Sequence, residues 1–188
     1  MVVTEKTTAA IDRACPSADA RRHEAFERLA SEELGASYQL AARILGHRDG
    51  AEDAVHEAVV KAWTAFGSLR DSELFEPWFR RIVVNVCRNH LRHGRVLKLE
   101  PLMAEHDGRR DEADPLESGA LRDAVSLAIG CLGPDLRIAV VLRYWKGLSV
   151  QEIARATGVP GGTFKWRLHN ANARMRKELD RLGWEVGR

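Results

Sequence analysis

The chain has 188 residues, 45% apolar and 30% charged, with 29 Lys and Arg set against 27 Asp and Glu. That length suits one or two domains, and the apolar share is enough to pack them, which excludes wholesale disorder. No run approaches the roughly 20 apolar residues of a bilayer span, and the opening MVVTEKTTAA lacks a hydrophobic signal core, so the chain is expected in the cytoplasm with no membrane span.

Residues 1–22 are polar, aperiodic and contain Pro16, and read as a flexible tail. A helix is expected from about Glu24 to the Leu45-Gly46 stop. In the next helix Ala51, Ala54, Val55, Ala58, Val59, Ala62, Trp63 and Phe66 recur at helical spacing, leaving Glu52, Asp53, His56, Glu57 and Lys61 on the other side until Gly67 closes it. After a short loop, 67–76, Pro77 marks the first turn of a third helix. Its buried side is Phe75, Trp78, Phe79, Ile82, Val83, Val86 and Cys87. Arg81, Asn85, Arg88 and Arg92 recur at steps of four, three and four along one exposed edge. Residues 23–94 thus form a first helical domain.

Residues 95–118 carry two prolines, one glycine and many acids, and read as a flexible acidic linker in which Leu97, Leu99, Leu102 and Met103 could dock. A second domain is expected over 119–188. Leu121, Val125, Ala128 and Ile129 suggest one helix, and Leu136, Ala139, Val140, Leu142 and Arg143 another after Pro134. No segment alternates with period two, so the expected fold is all-α: two small helical domains joined by the linker.

The segment from Gly147 to Leu179 has the order of a helix–turn–helix. Ser149 and Glu152 have capping-box spacing, Gly158 sits where a helix stops, Val159 plugs the turn and Pro160 opens the next helix. Phe164, Leu168, Ala171, Met175 and Leu179 then form a buried stripe. Thr163, Lys165, Trp166, Arg167, Asn170 and Arg174 are left on the opposite face, where a recognition helix presents side chains to phosphates and base edges.

The near balance of charge conceals segregation. Residues 24–62 hold 4 basic and 8 acidic side chains, 79–98 hold 6 basic and none acidic, 99–118 hold 2 and 7, and 143–181 hold 9 and 3. Two basic surfaces divided by an acidic stretch suit two contacts with a polyanion, although basic helix faces are also commonly just solvated. Catalysis finds no support. The histidines at 23, 47, 56, 90, 93, 106 and 169 are scattered, no carboxylate pair sits among apolar positions, and no GxxxxGK[ST] loop occurs. Cys15, Cys87 and Cys131 form no CxxC pair, so neither a disulfide framework nor a zinc site is indicated; Cys87 reads as a core cysteine near the solvated His90 and His93. No cofactor or metal is expected.

With both halves in view, the chain resembles the sigma-70 family of bacterial transcription initiation factors, in particular its extracytoplasmic-function (ECF) group, over about 24–94 and 119–181. GHRDGAEDAVHEAVVKAW resembles that group's polymerase-binding helix and FEPWFRRIVVNVCRNHLR its promoter-melting helix. LGPDLRIAVVLRYWKGLS followed by QEIARATGVPGGTFKWRLHNA is similar to its −35-reading domain. The resemblance implies that Asp53, His56 and Glu57 contact the coiled coil of the largest polymerase subunit, with the flap of the second subunit as a further contact. It implies that the −10 element is held by the 67–76 loop and third helix: Leu69, Phe75 and Ile82 as the apolar wall of a base pocket, Asn85 and Asn89 for base edges, and Arg70, Arg81, Arg88 and Arg92 for phosphates. Phe75 and Ile82 fit the helix's buried side equally well. It also implies an anti-sigma partner. Trp166 and Asn170 depart from the small polar residue and the Arg usual at those positions, which puts the −35 sequence in doubt.

Overall fold

The computed structural model describes residues 17–93 and 115–184, and these form helices joined by short turns, with no strand among them. In order they form α1 (Ala18–Leu45), α2 (Arg48–Ala65), α3 (Phe75–Arg92), α4 (Pro115–Gly130), α5 (Pro134–Val140), α6 (Val150–Thr157) and α7 (Gly161–Arg181). Two short 3-10 turns, Phe66–Ser68 and Ser72–Leu74, lead from α2 into α3, and a π turn at Val141–Trp145 continues α5. Most of the expected tail and linker, residues 1–16 and 95–114, lies outside the described residues.

Helix α1 begins at Ala18, inside the segment read as tail. The Ser17 hydroxyl accepts a hydrogen bond from the Ala20 N–H (3.1 Å) and so satisfies one of the free donors of the first turn. The added turns have partners: Arg22 lies over the Trp63 ring (5.2 Å) and His23 meets that ring edge-on. The other end stops at Gly46, which has φ 84° and returns its N–H to the Ala42 carbonyl. A side chain there would be strained, so the Leu45-Gly46 stop has a backbone cause. Similarly, α4 begins at Pro115, four residues before the expected Gly119.

Helices α1, α2 and α3 pack around Phe26, Ile44, Leu45, Phe75, Phe79 and Val83. On α2 the facing residues are Ala51, Ala54, Ala58 and Ala62, all fully buried. Small side chains let the neighbouring helices come close, while fully burying Phe79 is worth about 3 kcal/mol at most. Cys87 belongs to this core, and burial pushes its thiol up to about 12, so it is an inert packing residue. His90 is not solvated as expected: it is buried, with Nε2 2.8 Å from the Glu57 carboxylate.

The two expected domains are packed against each other. The apolar cluster that begins at Phe26 continues through Phe79 and Val83 into Ile138, Ala139, Leu142, Ile153 and Phe164. Helix α3 therefore packs on α5 and α6 as well as on α1 and α2, and Val84, off its expected stripe, is fully buried. Arg137 crosses this seam at only 4% exposure, donating to the carbonyls of Gly130 (2.6 Å) and Ile44 (3.4 Å). Burial lowers its pKa, yet a guanidinium stays charged, so those carbonyls are what make its position tolerable. Two smaller clusters, Ala124–Ala128–Leu179 and Leu132–Val140–Ala171, hold α4 and α5 to α7.

Candidate nucleic-acid interface

Helices α6 and α7 form the helix–turn–helix. The Ser149 hydroxyl accepts from the Glu152 N–H (3.2 Å) while the Glu152 carboxylate accepts from the Ser149 N–H (2.7 Å), closing the capping box. Those bonds favour ionised Glu152 and lower its pKa. Gly158 ends α6 at φ 69°, and the Thr157 hydroxyl accepts from the Val159 N–H to tighten the turn. Phe164 and Ala171 turn inward. Thr163, Lys165, Trp166 and Arg174 stand exposed, Trp166 at 64%. Asn170 spends one donor on the Trp166 carbonyl (3.0 Å), and Arg167 is only partly exposed.

On α3 the expected edge is present, with Arg81 and Arg92 exposed and Asn85 and Arg88 half-buried. Arg88 approaches Asp135 of α5 at 3.0 Å, Nε to Oδ1, a distance typical of a hydrogen bond without its alignment, so the contact is an ion pair. Arg92 reaches the other Asp135 oxygen at 3.3 Å, and Arg167 of α7 reaches it at 3.5 Å. One carboxylate thus gathers three guanidiniums from both halves. Burial lowers the pKa of Arg88, with Asp135 opposing the shift. Arg88 also donates to the Asn85 side-chain carbonyl (3.0 Å). The Arg81 guanidinium lies beside Gly158, so that a Cβ there would meet it at 3.1 Å. Asn89 and Arg70 are exposed; Leu69 and Ile82 are half-buried against the core.

Phe75 corrects the base-pocket reading. It is 2% exposed, stacked on Phe79 (5.5 Å between centroids) and met edge-on by Phe26 and Phe66. A ring enclosed by three others has no free face for a base, so any wall falls to Leu69 and Ile82. Two residues at this seam escaped the sequence reading. Asp135 lies in the first turn of α5. Arg137 carried a usable signal: it shares a helical face with Val141, which is buried.

The acidic side of α2 faces outward. Asp53 and His56 are exposed, whereas Glu57 turns partly inward to bond Lys61 (2.7 Å) and His90. The hydrogen bond from Lys61, then that from His90, holds its carboxyl below the usual range. Among the described residues no group of histidine, cysteine or carboxylate side chains could hold a metal ion, and no helix is long and apolar enough to cross a membrane.

This arrangement has close relatives. The sequence matches sigma-70 region 2 over residues 29–96 and sigma-70 region 4 over 122–175. It is 30% identical over 155 residues to an RNA polymerase sigma-E factor of Streptomyces avermitilis, covering 82% of this chain and 85% of that one. It is 35% identical over 141 residues to the ECF RNA polymerase sigma-E factor of Escherichia coli K12, covering 69% and 74%. In fold it is similar to the sigma factor RpoE of Bartonella quintana, solved with the anti-sigma factor NepR (TM-score 0.62, 23% identity, 87% of this chain and 98% of that one). It is likewise similar to CnrH solved with the cytosolic domain of CnrY (TM-score 0.57, 25% identity, 84% and 89%). The chain belongs to the sigma-70 family, in its extracytoplasmic-function group, and is a sigma factor for transcription initiation.

Proposed function

We propose that this sigma factor binds the RNA polymerase core through α2, captures the −10 strand on α3 and the loop before it, and reads a −35 element with α7. The observation that carries this reading is the order on one chain: a region 2 match, then a region 4 match whose helix–turn–helix presents a basic face. Asp53 and Glu57, with His56, supply the acidic face for a polymerase coiled coil. Asn85 and Asn89 each have an amide able both to donate to and accept from a base edge, beside a wall of Leu69 and Ile82. Arg70, Arg81, Arg88 and Arg92 hold phosphates. On α7, Lys165, Arg167 and Arg174 hold the duplex backbone, Thr163 and Asn170 reach base edges, and Trp166 packs on sugar or a thymine methyl.

Opening DNA in this scheme needs no chemical step. Extruding a base costs a few kcal/mol, least where the strand is already single, and selective binding of the opened strand offsets that cost. An anti-sigma partner is part of the reading, since RpoE of Bartonella quintana, a structural neighbour, was solved with the anti-sigma factor NepR. So is a cytoplasmic location, where polymerase and promoter are found.

The deciding experiment is reconstitution with bacterial polymerase core on a genomic promoter library. Specific transcripts that share one two-part upstream motif are expected. DNA binding without the polymerase, and no specific transcripts, would replace this reading with a stand-alone regulator that uses α6 and α7 alone.

A further inference from the structure

Three of the side chains assigned to phosphate, drawn from both halves, meet across the seam. Arg88 and Arg92 from the −10 helix and Arg167 from the −35 helix converge on Asp135, within 3.0–3.5 Å. Arg81, a third member of the α3 edge, is turned toward Gly158 in the helix–turn–helix bend. Asp135 lies at the start of α5, behind Pro134, and is itself only partly exposed. Its two oxygens therefore occupy the position a phosphate would take among those guanidiniums. Meanwhile the acidic face of α2 stays open, with Asp53 and His56 exposed.

We propose that Asp135 is an internal latch: a carboxylate standing in for DNA phosphate, which closes the free chain toward promoter DNA while leaving its polymerase-binding face open. This rests on the sigma-factor reading above and adds its regulation.

The charge balance makes the latch releasable. Three guanidiniums face one carboxylate, so the cluster keeps two positive charges uncompensated in a partly buried site. Arg88 Nε and Nη2 and Asp135 Oδ1 are buried there without an aligned hydrogen bond. Such a cluster is poorly satisfied compared with guanidiniums paired to phosphates, which offer more charge and more acceptor oxygens. The closed form is favoured while the apolar seam of α3 with α5 and α6 holds. Once polymerase draws the halves apart, the arginines are released together, in the one setting where they are needed.

The test uses the full chain. Asp135→Asn and Asp135→Ser both keep a residue suited to a helix start, so one of them folding is enough, and Asp135→Glu keeps the charge. Affinity for a labelled single strand carrying the −10 sequence, measured without polymerase over a salt series, should rise about tenfold in the Asn or Ser chain. The slope of log affinity against log salt should steepen by about 1.4, at roughly 0.7 for each of the two strand-facing arginines released. Asp135→Glu should behave as the natural chain, and initiation with saturating polymerase core should be equal in all of them. An unchanged affinity and slope in a folded Asn or Ser chain that still initiates normally would overturn the latch alone. Failure of every chain, the natural one included, to initiate with polymerase would overturn the sigma-factor reading and the latch with it.

Discussion

Two charged faces of the first three helices have opposite fates. The acidic side of α2 is left in solvent, while the middle of the basic edge of α3, at Asn85 and Arg88, is half-covered by α5 and the Asp135 carboxylate. Both are amphipathic helices of 18 residues with a clean apolar stripe. What separates them is a second partner, and that depends on a seam built from residues far away in the chain. A periodic pattern tells which side of a helix is buried against its first neighbour; it does not tell whether the other side will be buried too.

The comparison can be broken most severely at the core that both faces share. Phe79→Ala should lower stability by about 3–5 kcal/mol in urea denaturation, because it empties a fully enclosed site. A loss below about 1 kcal/mol would mean that α3 is not held as described. Arg137→Ala comes next. It leaves the Gly130 and Ile44 carbonyls without their buried donor, and about 1–3 kcal/mol should be lost. This variant should also separate the halves, seen as a larger radius of gyration in small-angle scattering.

Glu57 sharpens the contrast on the α2 side. Its folded pKa is depressed by Lys61 and His90, so its contribution is complete above the unfolded carboxylate value and is lost as pH falls through the folded one. Glu57→Gln should therefore reduce thermal stability near neutrality by under about 1 kcal/mol, the range of partly exposed pairs, and the difference should vanish in acid. A difference that persisted in acid would point to packing in place of charge. The smallest effect on folding belongs to Asp53→Ala. Stability should stay within about 0.5 kcal/mol, as for other open surface positions. Affinity for polymerase core, read by a competition assay, should fall all the same.

Local features were the ones legible from sequence. The stop at Gly46, the capping box of Ser149 and Glu152, the turn at Gly158 and the inward stripe of α7 each depend on residues within a few positions of one another. The start of α1 was missed because Ser17 caps a turn whose polar composition has no period; its reason to be ordered is Trp63, more than forty residues on. Phe75 was left open between a core and a base-pocket role, and only the placing of Phe26 and Phe66 around it decides for the core. Asp135 was beyond reach for the same reason, since its three arginines come from two other helices.

Helix α1 is also a mechanical element. Its 28 residues make a rod about 42 Å long, fixed near its beginning to Trp63 and held at its last turn, where Arg137 bonds the Ile44 carbonyl. A tilt of about 5° at one end of such a rod displaces the other by about 4 Å, more than the reach of a hydrogen bond. Because Phe26, Ala30, Leu40, Ala41 and Ile44 bury its face along the whole length, α1 resists such a tilt and keeps the Trp63 and Arg137 contacts in fixed relation.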